Sequence, residues 1–158
     1  MAETKGPPAG FGKGVNNYLN DYVRVADAKA TAFLAANLAA ATLVLRIAPT
    51  TWLPSACRWL SLASFATSTC FCAWTVFPRL PKGHMGVVFW EDILFFKSAE
   101  LYWRELATMD DAAVESEYAA QNWFVSAVVH KKLLAVRRAI VSFFVAVGLA
   151  VMSYLTLP

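Results

Sequence analysis

Three stretches without a charged side chain dictate what this chain can become. They cover residues 30–45, 59–78 and 139–158, and are 16, 20 and 20 residues long. A helix needs roughly 20 apolar residues to cross the hydrocarbon core of a bilayer, so the second and third qualify as they stand. The first qualifies once Arg46 carries its guanidinium out to the interface on its aliphatic stem. Only 16% of the 158 residues are charged and 58% are apolar, against about 25% charged in an ordinary soluble domain, and the deficit sits in these runs. The expected fold is all-α: a helical membrane protein with three transmembrane helices, at 30–48, 55–77 and 139–157, and a cytoplasmic helical region at 79–138.

Organisation along the chain follows from the breakers. Residues 1–14 hold Gly6, Pro7, Pro8, Gly10, Gly12 and Gly14, too little apolar surface to offset the entropy of ordering, so a disordered tail is expected. From Val15 the residues Tyr18, Leu19, Tyr22, Val23 and Ala26 recur at helical spacing opposite Asn20, Asp21, Arg24 and Asp27, which predicts an amphipathic juxtamembrane helix over 15–29. No proline or glycine falls between Val15 and Ala48, so this helix and the first span form one rod of roughly 34 residues, ended by Pro49. The apolar run starts too late for a cleavable leader, and the first span reads as an uncleaved anchor. Pro49 and Pro54 mark a tight turn into the second span, with Trp52, Trp59 and Trp74 at interfacial positions. After Pro78 a short strand or loop is expected at Val87–Trp90, then a helix over Glu91–Leu106. A longer helix follows over Asp110–Arg138, acidic at its start and basic at its end, and leads directly into the third span.

Charge sets the orientation. Twelve of the 14 Lys and Arg residues lie in the N-terminal segment or in 79–138, and only Arg46 and Arg58 flank the first turn. By the positive-inside rule, the N-terminus and residues 79–138 face the cytoplasm and the C-terminus faces the periplasm. The net charge of +3 is not gathered into a basic, aromatic-interleaved surface, so no nucleic-acid partner is expected. Membrane lipids are the expected surroundings.

No catalytic set emerges, and the chain reads as a non-enzyme. His84 and His130 are 46 residues apart, adjacent Glu91 and Asp92 point about 100° apart on a helix, and Gly83 and Gly86 fit no phosphate loop. Cys57 stands alone, and Cys70 and Cys72 point about 200° apart on a helix, so no metal is expected. The spans do carry small and polar stripes suited to helix association: Ala32, Ala36 and Ala40 with Asn37 beside them, then Ser61, Ser64, Ser68 and Thr75, then Ser142, Ala146, Ala150 and Ser153. These stripes fit packing within one subunit or a water-lined surface between several copies, and three helices alone cannot enclose a wide pore. An anionic nucleotide would need a cation, an aromatic plane and an amide. The inward region supplies Lys97, Arg104, Lys131 and Lys132, then Trp90, Tyr102, Trp103 and Trp123, then Gln121 and Asn122.

The stretch Tyr22-Val-Arg-Val-Ala-Asp-Ala-Lys-Ala30 before an Ala-rich span, the segment Gly86-Val-Val-Phe-Trp-Glu-Asp-Ile93, the helical run Met109–Arg138 and the last span together resemble the Pycsar transmembrane effectors. That resemblance covers most of residues 15–158. It implies an effector of a bacterial anti-phage system, in which a partner cyclase makes cyclic CMP or cyclic UMP and the effector then impairs the inner membrane, an abortive infection. On this resemblance no cofactor is needed beyond the activating nucleotide, and a homo-oligomer is expected. Candidate ligand contacts are Arg104, Asn122 and Lys131, and candidate coupling residues are Asp27 and Lys29. Two other readings of the residues stay open: a constitutive scaffold or adaptor whose cytoplasmic helices bind a protein partner, and a holin-like pore-former that acts without a ligand.

Overall fold

A computed structural model of the chain describes residues 7–77 and 86–156. His84, the first six residues of the expected tail, the first residues of the expected 79–138 region and Leu157 lie outside the described residues. The described residues are all-helical, without strands. Five helices follow in order: α1 (Phe11–Leu45), α2 (Trp52–Val76), α3 (Trp90–Ile93), α4 (Ala99–Ala107) and α5 (Asp111–Leu155). The chain divides into two compact units. One comprises residues up to Val23 together with 79–129, and the other comprises 24–78 together with 130–158. Both α1 and α5 contribute to each unit as single unbroken helices.

Two helices, α1 and α5, are long and apolar enough to cross a membrane. Only 17% and 22% of their most apolar windows are buried within the chain, which leaves most of both apolar surfaces uncovered. Helix α2 carries no charge after Arg58, but Ser61, Ser64, Thr67, Ser68, Thr69 and Thr75 dilute its hydropathy, and it does not join them.

In the second unit the three long helices pack around one seam whose repeat is seven residues. Buried positions on α2 are Pro54, Ser61, Ser68 and Thr75, with Phe65 and Cys72 between them. On α5 they are Lys132, Ala139, Ala146 and Ser153, and on α1 Ala30, Asn37 and Val44. A repeat of seven sustained along a helix keeps one seam facing its partners through a left-handed supercoil. The core clusters fix direction: Ala26 and Ala30 meet Cys72, Val136 and Ala139, whereas Val44 meets Phe65 and Ala146. Thus α1 and α5 run parallel and α2 runs against both. Phe143 fills the space between Phe33 and Phe65, with ring centres 5.3 and 5.7 Å apart. Arg58 donates to the carbonyl of Leu45 at 3.2 Å, covering an unpaired acceptor at the end of α1.

The first unit departs from the expected tail. Residues 11–14 already belong to α1, and the amides of Gly10 and Gly12 donate to the Glu115 carboxylate at 2.5 and 2.7 Å. A carboxylate so placed satisfies orphan amides at a helix start and complements its dipole. Gly10 has φ +79°, a conformation that side chains disfavour. Gly12 is needed for closeness: a Cβ there would lie 2.6 Å from Tyr118 Cβ and 2.8 Å from Glu115 Oε2. The segment at 86–89 is not a strand. It is pinned by Glu117, which accepts from the Val87 amide at 3.1 Å, and by the Tyr102 hydroxyl, which donates to the Val87 carbonyl at 2.8 Å. The single helix expected over Glu91–Leu106 is broken in two. Ser98 takes an extended conformation and accepts from the Leu101 amide at 3.2 Å, so it caps a new helix rather than continuing the old one.

Gly12→Ala is expected to destabilise the protein by about 1–3 kcal/mol, because the crowding atom is a β-carbon fixed to backbone. Gly14→Ala, with nothing within 4 Å of its Cβ, is expected to be neutral or to stabilise by up to about 1 kcal/mol. Thermal unfolding of the detergent-purified variants measures the difference.

Candidate functional site

The polar seam of the second unit is the most fully built feature of the molecule. Ser153 Oγ donates to the Pro54 carbonyl at 2.8 Å, Ser61 Oγ to the Ala146 carbonyl at 2.7 Å, and Ser68 Oγ to the Ala139 carbonyl at 2.8 Å. Lys132 Nζ donates to the Thr75 carbonyl at 2.7 Å. These four rungs are spaced seven residues apart on both helices and tie α2 to α5 along its length. Asn37 brings in α1, its Nδ2 donating to the Phe33 carbonyl at 2.8 Å and to Ser68 Oγ at 2.9 Å. Its Oδ1 is buried without a partner.

The end of the seam at Lys132 holds a charge. The Lys132 side chain is 6% exposed and pairs with Asp27 Oδ1 at 2.5 Å, while Asp27 remains 36% exposed. One ammonium therefore joins α1 and α5 and at the same time occupies an acceptor in the last turn of α2, where carbonyls lack helical partners. Asp27, a candidate coupling residue, is held here; Lys29 is exposed. The spacing of the apolar residues contained a signal for Lys132, which falls three residues after Val129 and four before Val136 on the stripe that both occupy.

The association residues fall in different places. Asn37, Ser61, Ser68 and Ala146 lie on the seam. Ala36, Ala40, Ser64, Ser142 and Ala150 are half-buried beside it, and Ala32 is exposed. The repeat of seven, rather than of four, selects which small residues are covered.

In the first unit several polar side chains are occupied with structure, while the buried Oε1 of Gln121 has no hydrogen-bond partner. Asn122 Nδ2 donates to the Gly12 carbonyl at 2.9 Å, and its Oδ1 accepts from Asn16 at 3.1 Å, whose own Oδ1 accepts from Asn20 at 2.9 Å. Arg104 is exposed and paired with Glu100 at 2.6 Å. Lys131 and His130, which belong to the second unit, are exposed on α5. Tyr18 donates to Tyr22 at 3.3 Å, and this bond, with the repulsion of a neighbouring phenolate, raises the Tyr18 phenol above its ordinary value. Among the described residues, two clefts on the first unit stand out. One of about 300 Å³ is lined by Gly86, Val87, Asp92, Phe95, Phe96 and Glu105. The other, of about 460 Å³, includes Asp111 and Glu115. Carboxylates line both, which disfavours phosphate in either. Among the described residues no three His, Cys, Asp or Glu side chains gather closely enough to hold a metal ion.

Asp27→Leu strands a buried ammonium and is expected to cost about 3 kcal/mol, whereas Lys132→Met leaves a carboxylate that water can reach and is expected to cost about 1 kcal/mol. Thermal unfolding in detergent checks that order.

Comparison with curated proteins and with solved structures gave no match. The family PycTM, the Pycsar effector protein domain, matches residues 13–157. This span takes in both candidate membrane helices, the whole seam and the helices of the first unit, and so the chain belongs to the Pycsar effector family of anti-phage defence.

Proposed function

We propose that the protein is a three-span effector of the bacterial inner membrane, its N-terminus and residues 79–138 cytoplasmic and its C-terminus periplasmic. In this reading a cyclic pyrimidine nucleotide, cCMP or cUMP from a partner cyclase, activates it to impair membrane integrity and end the infection abortively. The observation that carries the reading is the polar seam along three helices with long charge-free runs, whose apolar sides are mostly uncovered and whose one buried ammonium, Lys132, is paired with Asp27. It explains how α2, too polar to stand alone in hydrocarbon, is accommodated as the middle span: Ser61 and Ser68 donate to α5 carbonyls, and the Thr67 and Thr75 hydroxyls donate to carbonyls one turn back in α2 itself. The protein acts by binding and rearranging, without catalysis, and through no nucleic acid.

Activation is an equilibrium between a closed bundle and an oligomeric arrangement in which the spans breach the permeability barrier. Moving that equilibrium from 1:99 to 99:1 takes about 5.5 kcal/mol of differential affinity, a modest demand when shared among subunits. Lys132 and Asp27 are the coupling pair in this scheme, because they join all three spans where α1 and α5 enter them, with exposed Lys29 beside Asp27 in sequence. Arg104 and Lys131 offer exposed cations for the nucleotide. Asn122 contributes only if it leaves Gly12 and Asn16, and so ligand binding would loosen the start of α1.

Reconstitution into dye-loaded vesicles tests the proposal. Release is expected only when cCMP or cUMP is added, with cyclic AMP inert, and Lys132→Met is expected to move the half-maximal nucleotide concentration by roughly tenfold, about 1.4 kcal/mol. Release without nucleotide would favour the holin-like reading, and absence of release with every nucleotide would favour the scaffold.

A further inference from the structure

A third cleft, of about 340 Å³, lies in the second unit and is lined by Phe71 of α2 and by Leu134, Arg137, Arg138, Val141 and Ser142 of α5. Its charge is opposite to that of the clefts described above. Arg137 and Arg138 are the last charged residues before the run that begins at Ala139. Both are exposed, and among the described residues neither is paired with a carboxylate. Arg138 lies 5.9 Å from the centre of the Phe71 ring, within cation–π range.

We propose that this cleft binds an anionic phospholipid, its phosphate held by Arg137 and Arg138 and an acyl chain lying along Phe71 and Val141. Three observations converge. Guanidinium groups match the oxygens of a phosphate in a bidentate fashion, and two long ones that line the same cleft without a carboxylate partner favour an anion there. The remaining wall is apolar, and Val141 is 57% exposed, surface that a small hydrated anion would leave uncovered but a lipid chain would cover. The step from paired arginines to apolar wall also falls where the charge-free run starts, the level at which headgroups meet hydrocarbon. Basic pockets between membrane helices on the cytoplasmic side recognise anionic headgroups in this way. The proposal rests on the three-span reading above, and its test needs neither nucleotide nor leakage, so the two can fail separately.

Detergent-purified full-length protein is titrated with phosphatidylglycerol, with phosphatidylcholine of the same chains and with inorganic phosphate, and bound lipid is read by native mass spectrometry. Phosphatidylglycerol is expected to be retained and phosphatidylcholine to be lost. The double variant Arg137→Gln with Arg138→Gln is expected to weaken phosphatidylglycerol binding by roughly 30-fold, from the typical contribution of each basic residue at an anionic surface. Helix content by circular dichroism reports whether that variant folds, and Arg137→Lys with Arg138→Lys keeps the charge and should recover part of the affinity. Equal retention of both lipids, displacement by millimolar phosphate, or an equal loss in Arg46→Gln would each overturn the site.

Discussion

A hydroxyl, an amide or an ammonium withdrawn from water must find its partner inside the protein, and the second unit is organised around that demand. Three serines and a lysine, each seven residues from the next rung, reach across to main-chain carbonyls on the facing helix. Direction, register and rotation of α2 against α5 follow together, since a slip of one residue would turn every donor away from its acceptor. The same rungs give two α2 hydroxyls, those of Ser61 and Ser68, their partners. Each such bond between helices in a membrane contributes about 0.6 kcal/mol, so the ladder as a whole is worth less than the roughly 5.5 kcal/mol needed to invert a two-state population.

How much of this is legible in the sequence depends on how local the cause is. The rod-like character of α1 follows from the absence of proline and glycine between Val15 and Ala48, and the run of α5 out of its polar half follows from its unbroken stripe. The stripes of small residues are visible too, but their covered members are not. Asn37, Ser61, Ser68 and Ala146 are buried while Ala32 is exposed, because supercoiling changes the repeat from four to seven and only neighbouring helices impose it. The order at Gly10–Gly14 is invisible locally, since it is supplied by Glu115, more than 100 residues away. Lys132 reads naturally as a topology signal, and only its position between Val129 and Val136 hints that it is buried.

The candidate ligand residues illustrate the limit most plainly. Arg104, Asn122 and Lys131 were plausible by type alone, as a cation, an amide and a cation. Asn122 is engaged with Gly12 and Asn16, and Arg104 with Glu100, so residue chemistry does not by itself show whether a side chain is available. The two clefts described on the first unit are acidic, and the arginine-lined one belongs to the second unit, a distribution that composition averages away in a net charge of +3.

Every rung of the ladder ends on a main-chain oxygen, and that has a genetic consequence. The acceptors at Pro54, Thr75, Ala139 and Ala146 are present whatever residue is encoded there, so a codon change at the alanines is limited by girth alone. Only the donor half can be erased by mutation. Drift should therefore be lopsided within each rung, tolerant of small side chains at the acceptor position and confined to hydrogen-bond donors at the other, with the donor positions divided equally between α2 and α5.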